Sequence, residues 1–549
     1  MQPAAVLSSI LGSFQIWQFS GIHGSRVAPC NLFINYQRYP HHMNPANKTI
    51  RPPAIRMSTG ISGLDDILCG GLTAHRVYLV EGSPGTGKTT LGLQFLLDGI
   101  ERGESGLYIT LSETADELDA VAHSHGWTTD ALHVFELATD DALDPESQQS
   151  VFHPSEVELG ETTQSVMDMV DRIKPARVVF DSLSEMRLLA QNPLRYRRQI
   201  LALKQFFASR QCTVLLLDDK SNLADQHLHS IAHGVVSLEQ TAQEFGKERR
   251  RCIVIKMRGI KFRGGYHDYL LETGGIRMFP RLVANEHTGD FVARVSPTGS
   301  SGLDSLLGGG LTAGTNTLIA GPSGIGKTSM TVRCMLTALQ RGESAAFYLF
   351  DEGLGTFHIR AKALGMDLKP YVDNGQLGIF HIDPAELSPG EFAQKLRDGV
   401  EQSNVSFLVV DSLNAYLQAM PGEQYLILQM HELLSYLNQK GVTTMMVLGQ
   451  HGLIGEIRSD VDLSYLSDTT VLLRFFESNG RLRRAVTIMK NRTAEHAMTI
   501  HELQLGAEGL LIGEPLLGFE GVLSGLPTYR GSTPMMALQN DAGHVSDQH

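Results

Sequence analysis

The chain has 549 residues, 42% of them hydrophobic and 19% charged, and a formal net charge of −13. That composition describes a folded globular protein with room for two sizeable domains, and its acidity excludes a standing electrostatic affinity for nucleic acid or anionic membranes. Five scattered cysteines without a C-x-x-C pair exclude a disulfide framework and fit the reduced thiols of a cytoplasmic protein, and no apolar stretch reaches transmembrane length.

Residues 1–56 come first. Met1 to Gly21 is mildly apolar but lacks the basic start and small-residue cleavage site of a signal peptide. Pro29, Pro40, Pro45, Pro52 and Pro53 follow without any period. This segment reads as a disordered extension, with Met43 or Met57 opening the folded part.

A first domain is expected over residues 57–282. After Thr59-Gly60-Ile61-Ser62-Gly63-Leu64-Asp65 comes Gly82-Ser83-Pro84-Gly85-Thr86-Gly87-Lys88-Thr89, then Thr90. This fits G-x-x-x-x-G-K-[ST]: glycines let backbone N–H groups wrap an anion, Lys88 reaches the outer phosphates, and the Thr89 hydroxyl faces Mg²⁺. An apolar helical pattern closes on Arg102-Gly103-Glu104-Ser105, and Leu107-Tyr108-Ile109 reads as a buried strand. Arg177-Val178-Val179-Phe180-Asp181 reads as another, ending in a carboxylate placed to meet the Mg²⁺ shell. His227, His229 and His233 do not stack on one helical face, so they do not read as a zinc site. Arg249-Arg250-Arg251 reads as the solvated start of a strand.

A second domain, over residues 283–514, repeats the first. Thr298-Gly299-Ser300-Ser301-Gly302-Leu303-Asp304 precedes Gly321-Pro322-Ser323-Gly324-Ile325-Gly326-Lys327-Thr328 and Ser329. Arg341 to Ser344, the strand Ala346 to Leu349, and Phe407-Leu408-Val409-Val410-Asp411 follow in the same order. Thr328 and Asp411 are the matching metal-facing pair. Strand, phosphate loop, helix, strand, then strand-Asp predicts an α/β fold of two tandem P-loop domains with mostly parallel, doubly wound sheets. Both are expected to bind nucleoside triphosphate, with ATP and Mg²⁺ as the ligands. Residues 515–549 read as a C-terminal tail, with a flexible end from Gly531 to His549.

The two openings at Thr59 and Thr298, the two phosphate-loop units, Lys256-Met257-Arg258-Gly259 and the closing Gly521 to Thr528 together resemble the KaiC family of RecA-like ATPases, over roughly residues 57–528. The resemblance implies two RecA-like domains stacked as tiers of a homohexameric ring, with ATP between subunits. It also implies slow hydrolysis, self-phosphorylation on Ser and Thr, and signalling or clock-type partner proteins. Glu113 and Glu352 then match the family's water-activating glutamates. Ser112 stands where the first of two acids belongs, whereas Asp351 keeps one. Lys256 and Arg258, and likewise Lys490 and Arg492, match residues that reach a neighbouring subunit's γ-phosphate. Ser464 matches a phosphorylation site, but Tyr465 replaces the adjacent Thr and carries its hydroxyl farther from the backbone.

The function expected is therefore an ATPase that drives a conformational switch, with serine autophosphorylation in its second domain. A RecA-like DNA-remodelling ATPase would need basic and aromatic loops facing a channel, which the chain does not display. A signalling scaffold glued together by ATP is the third reading, favoured by the departures at Ser112 and Tyr465.

Overall fold

The computed structural model describes residues 55–137, 154–190, 192–220, 226–243, 246–287, 291–292, 294–418, 426–450, 464–478, 480–506, 509–524 and 527–529. Within these the principal elements of the first repeat are β1 (Val77–Gly82), α1 (Lys88–Glu101), β2 (Gly106–Thr110), α2 (Ala115–Ser124), β3 (His133–Glu136), α3 (Pro154–Ile173), β4 (Arg177–Asp181), α4 (Pro193–Ser209), β5 (Thr213–Asp219), α5 (Gln226–Ile231), β6 (Gly234–Thr241), β7 (Arg249–Met257), β8 (Tyr266–Glu272) and β9 (Gly275–Phe279). The second repeat supplies β10 (Asn316–Gly321), α6 (Lys327–Gln340), β11 (Ser344–Leu349), α7 (Leu354–Ala363), β12 (Leu377–His381), α8 (Pro389–Ser403), β13 (Val405–Asp411), α9 (Leu426–Gln439), β14 (Thr443–Gly449), β15 (Thr469–Ser478), β16 (Arg481–Asn491), β17 (His501–Gly506) and β18 (Gly509–Pro515).

Each repeat builds a nine-stranded sheet from the described residues. The first runs β3-β2-β4-β5-β1-β6-β7-β8-β9 and the second β12-β11-β13-β14-β10-β15-β16-β17-β18, which is the same order. The first six strands of each are parallel and the last three antiparallel. This is the expected pair of α/β domains. All six residues of β1 are buried, because helices cover both faces of a parallel sheet. Tyr78 and Val80 join a core with Leu91, Phe95 and Leu96 of α1. Val77 and Leu79 face the other way, into a core with Tyr196, Ile200 and Leu203 of α4. The second sheet divides its side chains between two cores in the same manner. This sandwiching fixes the carboxyl ends of β1, β2, β4 and β5 side by side, and a ligand site in such a sheet lies there.

The repeats touch each other. The Gly390 N–H, in the first turn of α8, donates to Asp268 on β8 at 2.7 Å. Arg249 is buried and donates to the Pro384 carbonyl at 3.0 Å, so it is not the solvated residue that the sequence suggested. A guanidinium with a carbonyl partner across a contact can be buried where a bare one cannot. Within the segment assigned to the tail, Val522 and Phe519 pack with Phe476 and Ala485. No helix among the described residues is long and apolar enough to cross a membrane.

Candidate nucleotide site

The first phosphate loop joins β1 to the N-terminus of α1, where unpaired N–H groups and the helix dipole favour an anion. Gly87 caps α1 at φ 88° and Gly326 caps α6 at φ 109°, in the left-handed region that suits glycine. At Gly326 an added Cβ would also stand 2.0 Å from Leu505 Cδ1. The loop's shape is pinned by one hydrogen bond within it and one from β8. Thr86 Oγ1 donates to the Ser83 carbonyl and Tyr269 OH to the Thr86 carbonyl, both at 2.8 Å. Thr90 and Ser329, one residue past each metal-facing threonine, are buried in the first turn of their helices.

Lys88 Nζ donates to the Gly82 carbonyl at 2.8 Å and lies 2.9 Å from Asp219 Oδ1. Thr89 Oγ1 donates to Asp181 Oδ2 at 3.2 Å, and the buried Tyr108 hydroxyl donates to the same oxygen at 2.6 Å. Burial raises the Asp181 pKa, while the Tyr108 and Thr89 hydrogen bonds and the Lys88 charge oppose the rise. Glu113 follows β2, with its backbone N–H tied to Thr110 Oγ1 at 2.9 Å. Its Oε2 is buried without a hydrogen-bond partner. Burial, with the negative charges of Asp181 and Glu117, pushes the Glu113 pKa up. A partly desolvated carboxylate with an unused oxygen suits a proton acceptor.

In the second repeat a cavity of about 500 Å³ opens at the same sheet edge, within the range of small-molecule sites. Ser323, Lys327, Thr328, Asp351, Glu352 and Asp411 are among its lining residues. Lys327 Nζ donates to the carbonyls of Gly321 and Pro322 at 2.9 and 2.8 Å. Burial lowers its pKa against the pull of Asp411 and Asp351. Burial raises that of Asp411, opposed by the Thr328 hydrogen bond. Ser412 Oγ donates to Asp351 at 2.5 Å, and Arg360 pairs with Glu352 at 2.7 Å.

The four basic residues expected to act between subunits lie elsewhere. Lys256 Nζ donates to the His229 carbonyl and Arg258 to the Ser230 carbonyl, both on α5. Lys490 Nζ donates to the Ser467 carbonyl, and Arg492 lies 3.5 Å from Asp468. Neither Lys490 nor Arg492 lines the cavity around Lys327. The Ser464 backbone opens a short 3₁₀ turn; its side chain lies outside the described residues.

Three site residues escaped the sequence reading. Tyr108 sits inside an apolar run, where nothing marks its hydroxyl. Arg360 sits on a helix whose register to the loop is set only by packing. Asp219 left a usable signal, since it ends a strand in an acid as Asp181 does.

The family model described as an ATPase, KaiC, matches this chain twice, over residues 57–283 and 296–516. Among similar proteins, the "Circadian clock oscillator protein KaiC" of Parathermosynechococcus lividus is 27% identical over 80% of this chain and 82% of its own length. The protein of that name from Synechococcus elongatus is 26% identical over 82% of this chain and 88% of its own. That of Thermostichus vulcanus is 26% identical over 83% and 89%.

Proposed function

The chain belongs to the KaiC ATPase family, and from that premise we propose that it hydrolyses ATP at both phosphate loops, between subunits of a ring, to switch the ring's conformation. The observation that carries this reading is a constellation built twice on one sheet order: a loop lysine, a threonine beside a strand-end aspartate (hydrogen-bonded to it in the first repeat, lining the same cavity in the second), and a glutamate after the neighbouring strand. Thr89 with Asp181, and Thr328 with Asp411, offer hard oxygen donors suited to Mg²⁺, which supplies neutralising charge to the outer phosphates.

The loop N–H groups and the α1 and α6 N-termini bind the phosphates, and Lys88 and Lys327 turn from backbone carbonyls to the outer oxygens. Glu113 and Glu352 orient a water and take its proton as its oxygen attacks the γ-phosphorus and the bond to the β–γ bridging oxygen breaks. ADP and phosphate leave. Lys256, Arg258, Lys490 and Arg492 act on the adjacent subunit's nucleotide; for Lys490 and Arg492, their absence from the lining of this chain's own second cavity supports that assignment. The loss of the γ-phosphate releases the interface geometry it held. In the second tier, Ser464 of a neighbour can replace water as the nucleophile, transferring the phosphoryl group to its hydroxyl.

Glu113→Gln and Glu352→Gln, made separately in the full chain, test the catalytic assignment. Each is expected to lower phosphate release by about 10²-fold or more at its own site, with light scattering showing assembly in Mg-ATP. Unchanged release in both variants, or a nucleotide-free monomer in saturating Mg-ATP, overturns the reading.

A further inference from the structure

Among the positions at which the two sites differ, one stands beside the second site's glutamate. Glu113 and Glu352 each stand two residues before a helix, α2 or α7. Eight residues after each glutamate comes Val121 in the first repeat and Arg360 in the second. Val121 packs against the apolar core. Arg360 instead lines the cavity together with Ser323, Lys327 and Asp411. Helical side chains lean toward the helix N-terminus, so an arginine two turns into α7 reaches back toward Glu352, and its Nη2 lies 2.7 Å from Glu352 Oε2. The guanidinium carbon sits 5.9 Å from the ring centroid of Phe357, itself fully buried against Phe347. A rigid aromatic seat limits the directions in which the head group can move. Its charge reaches the far wall as well, lowering the Asp411 pKa against the larger effect of burial.

We propose that Arg360 is a phosphate-sensing and positioning residue of the second site, clamping Glu352 in the absence of a triphosphate and moving onto the γ-phosphate oxygens when one binds, which frees the Glu352 carboxylate. This rests on the ATPase reading above. The physical case is competition for one cation. A guanidinium matches carboxylate and phosphate oxygens equally well in geometry, and a γ-phosphate brings more charge than one carboxylate. A diphosphate lacks the terminal oxygens that compete for the guanidinium, so it leaves the pair closed. The second site thereby reads whether the terminal phosphate is present, through a residue the first site does not have.

The test uses the full chain with the first site silenced by Lys88→Ala. Binding of a non-hydrolysable ATP analogue and of ADP is measured by nucleotide fluorescence, with single-turnover phosphate release alongside. R360Q is expected to weaken the analogue about tenfold while leaving ADP within about twofold, and R360K to restore part of the difference. The rate constant for release and the half-saturating ATP concentration should then change by different factors, which a purely structural defect would not produce. Equal effects on analogue and ADP, or none, overturn the role of Arg360 while the ATPase reading stands. If the second site binds no nucleotide even with Arg360 intact, the ATPase reading fails first and takes this one with it.

Discussion

Lys88 Nζ lies 2.9 Å from Asp219, whereas Lys327 has no such partner from the matching strand end. The register explains this. Asp219 pairs with Gly82 across β5 and β1, and its counterpart beside Gly321, across β14 and β10, is Gly449. In the first site the lysine meets a carboxylate that competes with phosphate. In the second its hydrogen bonds among the described residues go to two backbone carbonyls.

Asp219→Asn should therefore tighten Mg-ATP binding at the first site. The aspartate is 46% exposed in this ion pair, so the gain is small, about two- to fivefold. Titration of the Lys327→Ala chain with and without the substitution measures it. Weaker binding would mean that Asp219 helps to hold the metal shell instead of opposing the phosphate.

Asp181→Asn should stabilise the nucleotide-free protein at neutral and alkaline pH while abolishing its stabilisation by Mg-ATP. Burial raises the Asp181 pKa, so in the folded state the ionised form carries a penalty. The stability linked to this group is present below the unfolded pKa and lost as pH rises through the folded one. Asparagine removes that loss, so the advantage should shrink as pH falls and Asp181 itself becomes neutral. Thermal melts across pH 4–8 (a range in which carboxylates near ~4 titrate) give the sign directly.

For Glu113 the pH dependence concerns rate. A base must be ionised, and burial with the charges of Asp181 and Glu117 pushes this carboxyl up. The acid limb of phosphate release by the first site, measured in the Lys327→Ala chain, should lie above the ordinary glutamate value of about 4.3. Glu117→Gln should move the limb toward lower pH by removing one like charge. A limb that stays in place would show that Glu113 does not set it.

Arg177 offers a test of the scaffold behind the site. It is 1% exposed and meets Glu104 at 2.5 Å, Asp98 at 3.0 Å and the Phe95 carbonyl at 2.7 Å, with its guanidinium carbon 4.8 Å from the Phe95 ring centroid. Arg177→Ala leaves those carboxylates without their shared cation and should cost about 3–5 kcal/mol in denaturant unfolding. Arg177→Met, which fills the space, should cost less. Equal losses would mean that filling the space recovers nothing and that the lost cation accounts for the whole effect.

The sequence by itself determined the duplication, the two phosphate loops, the α/β class and the strand-end positions of Asp181 and Asp411. Those features are local: glycine spacing, apolar runs and the residue ending each run are all readable along the chain. Only the tertiary structure decided which groups meet across strands and helices. It set Asp219 against Lys88, Tyr108 under Asp181, Arg360 on Glu352 and buried Arg249 against the other repeat. Such pairings depend on strand register and helix rotation, which long-range packing fixes, so two loops of nearly identical text acquire different electrostatic surroundings.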